Sequence, residues 1–156
     1  MLAFTVLVSA MLLVTLTLPQ LHLSSRRGSH MRHFAEQTGG DFPDDEIPQD
    51  FPFSLTDDLG WGDGCNCIFW RAPQLYMVAL DVSLGFGKAQ RPLTLVAIHG
   101  TSTRSILWSL PRGLELRRDG DWAVIFRRGE HHGLLSTHEI EQLRQIALHQ
   151  VELGRG

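Results

Sequence analysis

The spacing of apolar positions changes several times along this chain, and each change marks a different element. From Leu2 to Leu23 there is no spacing at all, because no charged residue interrupts LAFTVLVSAMLLVTLTLPQLHL. As a helix this run would reach about 33 Å, against a bilayer hydrocarbon core of roughly 30 Å. It reads as a membrane anchor over residues 1–23, with its few Ser and Thr able to bond back to carbonyls one turn earlier. A cleaved signal peptide is the competing reading. It would place basic residues before the run and small residues at a cleavage point after it, and Leu18-Pro19-Gln20-Leu21-His22-Leu23 offers no such site.

Past a basic juxtamembrane linker, residues 24–33, the period becomes helical for a short stretch. Met31 to Thr38 predicts one short helix, with Gly39-Gly40 as its stop. No period survives in DFPDDEIPQDFPFSLTDDLGWGDG, residues 41–64, which is rich in Pro, Asp and Gly and reads as a long wrapped loop. Phe42, Ile47, Phe51, Phe53 and Leu55 are its expected pegs into the domain.

From Cys65 the pattern becomes that of strands. CNCIFWRA, LYMVALDVSL and RPLTLVAIHG are rich in β-branched, aromatic and aliphatic residues and are bounded by turn formers. Tyr76, Val78, Leu80, Val82 and Leu84 form one apolar face. Asp81 and Ser83 alternate with them, so that side of the sheet is expected to be wetter. GLELRRDGDWAVIFRRG then predicts a hairpin turning at Asp119-Gly120, with Leu114 and Leu116 going out and Trp122, Val124 and Phe126 returning. The last element is a helix with end signals. Ser136 is the expected N-cap, Glu139 completes a capping box, Leu135 staples onto Ile140, and Gly154 ends it. Ile140, Leu143, Ala147 and Val151 supply an apolar stripe of the width that covers a sheet.

Together these elements predict an α+β fold: an N-terminal transmembrane helix, then a small antiparallel sheet packed by a C-terminal helix. The soluble domain spans 34–156, divided into an acidic Pro/Gly-rich loop region, 34–64, and a sheet with its closing helix, 65–156.

Charge adds a direction to this picture. Arg26, Arg27 and Arg32 follow the apolar run and no Lys or Arg precedes it, which places the C-terminal domain in the cytoplasm. A net charge of −3 argues against nucleic acid as a partner. Within the domain, residues 34–64 carry nine acidic side chains and no Lys or Arg, while residues 91–128 are rich in Arg. The acidic loop is therefore expected to lie against the basic sheet. The only cysteines, Cys65 and Cys67, are too close in sequence for an unstrained disulfide and suit a reducing compartment.

GGDF at Gly39 to Phe42, FPFSL at Phe51 to Leu55, the LDV strand at Leu80 to Val82 and the GFGK turn at Gly85 to Lys88 together resemble an uncharacterised bacterial family. Its members are short single-pass membrane proteins with a small β-rich soluble domain. The resemblance implies an anchor plus that domain, and it brings no activity with it.

Candidate chemistry is sparse. Cys65 and Cys67 with His131 and His132 are the residue types of a zinc site, yet C-x-C falls outside the usual ligand spacing. The same side chains could serve a metal-dependent sensor or enzyme. Asp57, Asp58 and Asp63 lack the EF-hand frame, and Gly85-Phe86-Gly87-Lys88 lacks that of a phosphate loop. Trp61, between two glycines in the acidic loop, is either a peg into the domain or, with Asp57 and Asp58, a contact for a partner. The sequence thus favours a non-enzymatic, membrane-tethered module that binds or scaffolds a membrane protein. No catalytic or cofactor-binding residue is expected, with zinc as the alternative.

Overall fold

The computed structural model describes residues 26–44, 46–73, 75–85, 90–100, 110–127 and 133–153. Six strands form a single antiparallel sheet: β1 (Asp41–Asp44), β2 (Trp61–Ala72), β3 (Leu75–Leu84), β4 (Arg91–His99), β5 (Leu114–Asp119) and β6 (Trp122–Arg127), in the order β1-β2-β3-β4-β6-β5. Two helices, α1 (26–38) and α2 (Thr137–Leu153), contribute to the core on one face. The segment between β1 and β2 packs on the other. The expected α+β architecture with a C-terminal helix is what the chain adopts. The run Leu2 to Leu23 lies outside the described residues, and among these no helix is long and apolar enough to cross a membrane.

Both faces of the sheet are buried, so β3 and β4 are apolar at successive positions in their centres. Toward the helices point Ile68, Trp70, Met77, Ala79, Val96, Ile98 and Ile125, meeting Met31, Phe34 and Ala35 of α1 and the Ile140, Leu143, Ala147, Val151 stripe of α2. Toward the loop point Cys67, Phe69, Val78, Leu80, Leu93, Leu95, Val124 and Phe126, covered by Phe51 with Ile47, Leu55, Leu59 and Trp61.

The helix ends follow the chemistry of their sequences. The Ser136 hydroxyl accepts from the Glu139 N–H at 3.2 Å, while the Glu139 carboxylate accepts from the Ser136 N–H at 2.9 Å, closing the capping box. At the end of α1, Gly39 takes a left-handed φ of 68° and the Gly40 N–H bonds the Ala35 carbonyl at 2.8 Å. Gly40 is also a close approach, since a Cβ there would lie 2.7 Å from Trp70 Nε1. Residues 26–30, ahead of the expected Met31, are already helical, and Met31 itself is fully buried.

Three expectations are corrected. The long loop is partly regular: it holds the edge strand β1, two 3₁₀ turns at Phe53–Leu55 and Asp57–Leu59, and the first residues of β2. Aromatic pegs and sheet pairing order a stretch in which neither helical nor strand period can be read. The hairpin turns one residue later than expected, because Asp119 pairs with Trp122 and leaves Gly120-Asp121 as the two-residue loop, with Gly120 at φ 56°. Finally, the Asp81 side of β3 is not wet. Asp81 is 4% exposed and faces α1.

Candidate functional site

Three side chains, Arg27, Thr94 and Asn66, converge on the buried Asp81 carboxylate. Arg27 of α1 donates from Nε to Oδ2 at 3.0 Å and from Nη2 to Oδ1 at 3.3 Å. Thr94 Oγ1 donates to Oδ1 at 2.7 Å, and Asn66 Nδ2 to Oδ2 at 3.0 Å. Arg27 Nη2 also donates to the Leu135 carbonyl at 2.7 Å, and the Leu135 N–H donates to Thr94 Oγ1 at 2.9 Å. This clasp ties together Arg27 of α1, strands β2, β3 and β4, and the residue before the N-cap of α2.

Asn66 reaches the clasp through a bulge. Between Cys65, paired with Asp81, and Ile68, paired with Ala79, β2 carries one extra residue, and Asn66 adopts φ 54°. Asn is among the few side chains that tolerate this left-handed conformation. The bulge also separates the cysteines. Cys65 is exposed and in register with Asp81, while Cys67 lies in the core beneath the loop. Burial pushes the Cys67 thiol up to about 12, with the charges of Asp81 and Cys65 adding to it, so Cys67 is protonated at neutral pH. His131 and His132 lie outside the described residues, and among these no cluster of three or more metal-binding side chains occurs.

The acidic loop meets the basic sheet at Arg117. Its guanidinium pairs with Asp58, donates to the Leu55 carbonyl at 3.0 Å and to Glu115 at 2.9 Å, and sits 5.0 Å above the Phe126 ring. The Arg117 hydrogen bond holds the Asp58 carboxyl below its ordinary range. Asp57 is exposed. Trp61 stacks on Phe53 (centroids 5.7 Å, planes 15° apart), meets Phe51 edge-on and donates to Thr56 Oγ1 at 3.0 Å. The structure thus places Trp61 and Asp58 in the packing of the loop onto the sheet.

A second constellation was not legible in the sequence. At the opposite end of β3 from the clasp, Arg71, Tyr76, His99, Trp122 and Asp119 are consecutive cross-strand partners over β2, β3, β4, β6 and β5. They form one transverse row, with Tyr76 and Trp122 packing on the loop side of the sheet. Tyr76 and Trp122 meet at 6.0 Å with planes 67° apart, and His99 tilts over Trp122 at 4.8 Å. Arg71 lies over both Phe69 and Tyr76, 5.8 and 5.7 Å from their centroids. Burial and the charge of Asp50 raise the Tyr76 phenol, more than Arg71 lowers it. An open cleft of about 490 Å³ adjoins this end of the row, walled by Glu46, Gln49 and Asp50 of the loop and floored by Phe69, Arg71 and Tyr76. The signal in the sequence was the aromatic or charged residue at each strand end, but only the register brings these positions level.

No family model, curated protein or solved structure matches this chain.

Proposed function

We propose that this protein is a membrane-tethered binding domain that engages a protein partner through the transverse row. The observation that carries the reading is the row itself: aromatic, cationic and carboxylate side chains set level across five strands, beside an open cleft, where the sheet is left partly exposed. Aromatic residues and Arg are the side chains that most often anchor protein interfaces. In sequence Arg26 of α1, beside the clasp residue Arg27, follows the uncharged run Leu2 to Leu23 by three residues, and the row lies five residues from Asp81 along β3, about 17 Å by strand rise. A helix through the bilayer would therefore hold the domain by its clasp end and present the row away from the lipid, on the cytoplasmic side by the arginine asymmetry.

A photo-reactive amino acid at His99, in cells, tests the binding reading. Capture of a discrete protein by His99, but not by a control position such as Gln142 on the exposed side of α2, is the expected result. Equal capture at both positions, or none at His99, overturns it. Impermeant maleimide tests the topology: labelling of exposed Cys65 only after permeabilisation is expected, and labelling in intact cells reverses the orientation.

A further inference from the structure

We propose that strand β5 pairs antiparallel with β5 of a second copy of this chain, Leu116 opposite Leu116, so that the two sheets continue across a two-fold axis. This goes beyond the binding reading above and does not depend on it.

Among the described residues β5 is the last strand on its side of the sheet. The hairpin fixes which backbone groups face inward. Asp119 and Trp122 flank a two-residue loop and form a hydrogen-bonded pair, and Arg117 and Glu115 repeat that pairing at intervals of two. The Gly100 N–H bonds the Asp121 carbonyl at 3.0 Å, so Asp121 faces β4 and the alternate residues Trp122, Val124 and Phe126 face β5. The N–H and C=O groups of Leu114, Leu116 and Arg118 therefore point to the outer side. The opposite edge is blunter: β1 has four residues, Pro43 lacks an N–H, and the register with β2 shifts.

Hydrogen bonding and charge together select one register. Residues directly opposite must both turn their backbone groups outward, so Leu114, Leu116 and Arg118 can oppose only one another. Centring on Leu116 pairs Leu116 with its copy and Leu114 with Arg118, exchanging about six backbone bonds in all. Glu115 then lies opposite Arg117 of the second copy, and the reverse, so the four charges alternate in sign around the axis. Both side chains reach the surface, at 26% and 25% exposure. Centring on Glu115 would set Glu against Glu, and centring on Arg117 would set Arg against Arg, which destabilises a pair. On the other face Leu114 and Leu116 border the helix-side core, and the second Leu116 extends that apolar surface. The axis is normal to the sheet, so α1 of both copies lies on one face, where one membrane can tether both. Tyr76 and Trp122 of both rows lie on the other.

The test uses the full chain in detergent micelles, with Cys65→Ser to remove the exposed thiol. Leu116→Cys should be cross-linked to a dimer by mild oxidation, because hydrogen-bonded partners lie about 5.5 Å apart between Cα atoms, within disulfide reach. Leu114→Cys alone should stay unlinked, since its copies stand about 13 Å apart along the strands, whereas mixing it with Arg118→Cys should give the mixed dimer. By sedimentation, the chain without added cysteines should be dimeric at about 100 μM. Glu115→Arg, which turns both cross-strand pairs repulsive, should raise the dissociation constant about tenfold. Leu116→Pro removes an outward N–H that β6 does not use and should leave the chain monomeric. A cooperative thermal transition checks that each variant is folded. A monomer at about 100 μM overturns the proposal, as does equal cross-linking through Leu114→Cys alone. So does a dimer that survives both Glu115→Arg and Leu116→Pro, which would assign association to another surface.

Discussion

Asp81→Ala would leave the Arg27 guanidinium largely enclosed without its counter-charge and strand the donors of Asn66 and Thr94. Removing one partner of a buried pair commonly costs about 3–5 kcal/mol. Arg27 keeps the Leu135 carbonyl and some exposure, so about 3 kcal/mol is expected here, read from the urea midpoint. Asp81→Asn keeps an acceptor for Thr94 and should cost less. A loss below about 0.5 kcal/mol for the alanine variant would show the clasp to be dispensable. The cysteines give a second residue-scale prediction. At pH 8 an alkylating reagent should modify Cys65 in the folded chain and leave Cys67 untouched until the chain is unfolded, because burial pushes the Cys67 thiol up to about 12. Equal rates at both positions would contradict the placement of Cys67 under the loop. Neither feature was fully legible in sequence. Alternation along β3 put Asp81 on its own face correctly, but the partner that lets that face be dry, Arg27, is 54 residues earlier, in a stretch that reads as a basic linker. Asn66 signals its bulge only once its strand partners are known.

Elements whose determinants lie within a few residues were the readable ones. The capping box at Ser136 and Glu139, the glycine stop of α1 and the Leu114–Arg127 hairpin all rest on local hydrogen bonds or turn conformations, so short sequence patterns contain them. β1 depends on pairing with β2, and the 3₁₀ turns, though closed by local backbone bonds, are also tied to β5 through Arg117, and the same patterns missed them. The capping box also predicts a pH dependence. Burial raises the Glu139 carboxyl, but the Ser136 N–H and hydroxyl and the Arg127 guanidinium outweigh it, and the net shift is below the ordinary 4.5. A carboxyl lowered in the folded state stabilises the fold above its unfolded pKa, and this contribution is lost as pH falls through the folded value. Glu139→Gln should therefore narrow the difference in stability between pH 7 and acid pH, compared with the unchanged chain. Ser136→Ala should cost about 1 kcal/mol at pH 7. An acid titration of the unfolding midpoint for both variants checks this, and identical curves for Glu139→Gln and the parent would rule the contribution out.

At the scale of the whole molecule, the two faces of the sheet depend on segments that look peripheral in the chain. The acidic loop is tied to the sheet by Arg117 and by the Phe51, Phe53 and Trp61 cluster. The other face is closed partly by α1, the element next to the apolar N-terminal run. Met31 and Ala35 are nearly inaccessible, Phe34 meets Trp70 edge-on at 5.8 Å, and Arg27 neutralises Asp81. A domain boundary drawn at Phe34 would divide α1 and discard Met31 and the clasp cation. A chain starting at Ser25 should therefore fold without the apolar run and unfold cooperatively, whereas one starting at Gly39 should not. Losing α1 exposes Ile68, Trp70 and Met77 and leaves Asp81 enclosed without Arg27. The charge term alone is about 3–5 kcal/mol, and the lost burial adds about 2–5 kcal/mol for each large side chain. For these three side chains the sum is about 9–20 kcal/mol, comparable with the roughly 5–15 kcal/mol that holds a domain of this size together. Dispersed amide resonances and a sharp thermal transition for the first chain, and their absence for the second, are the expected outcome. If the chain starting at Gly39 folds cooperatively, α1 is an accessory to the sheet, and the apolar N-terminal run would precede the domain through a detachable helix.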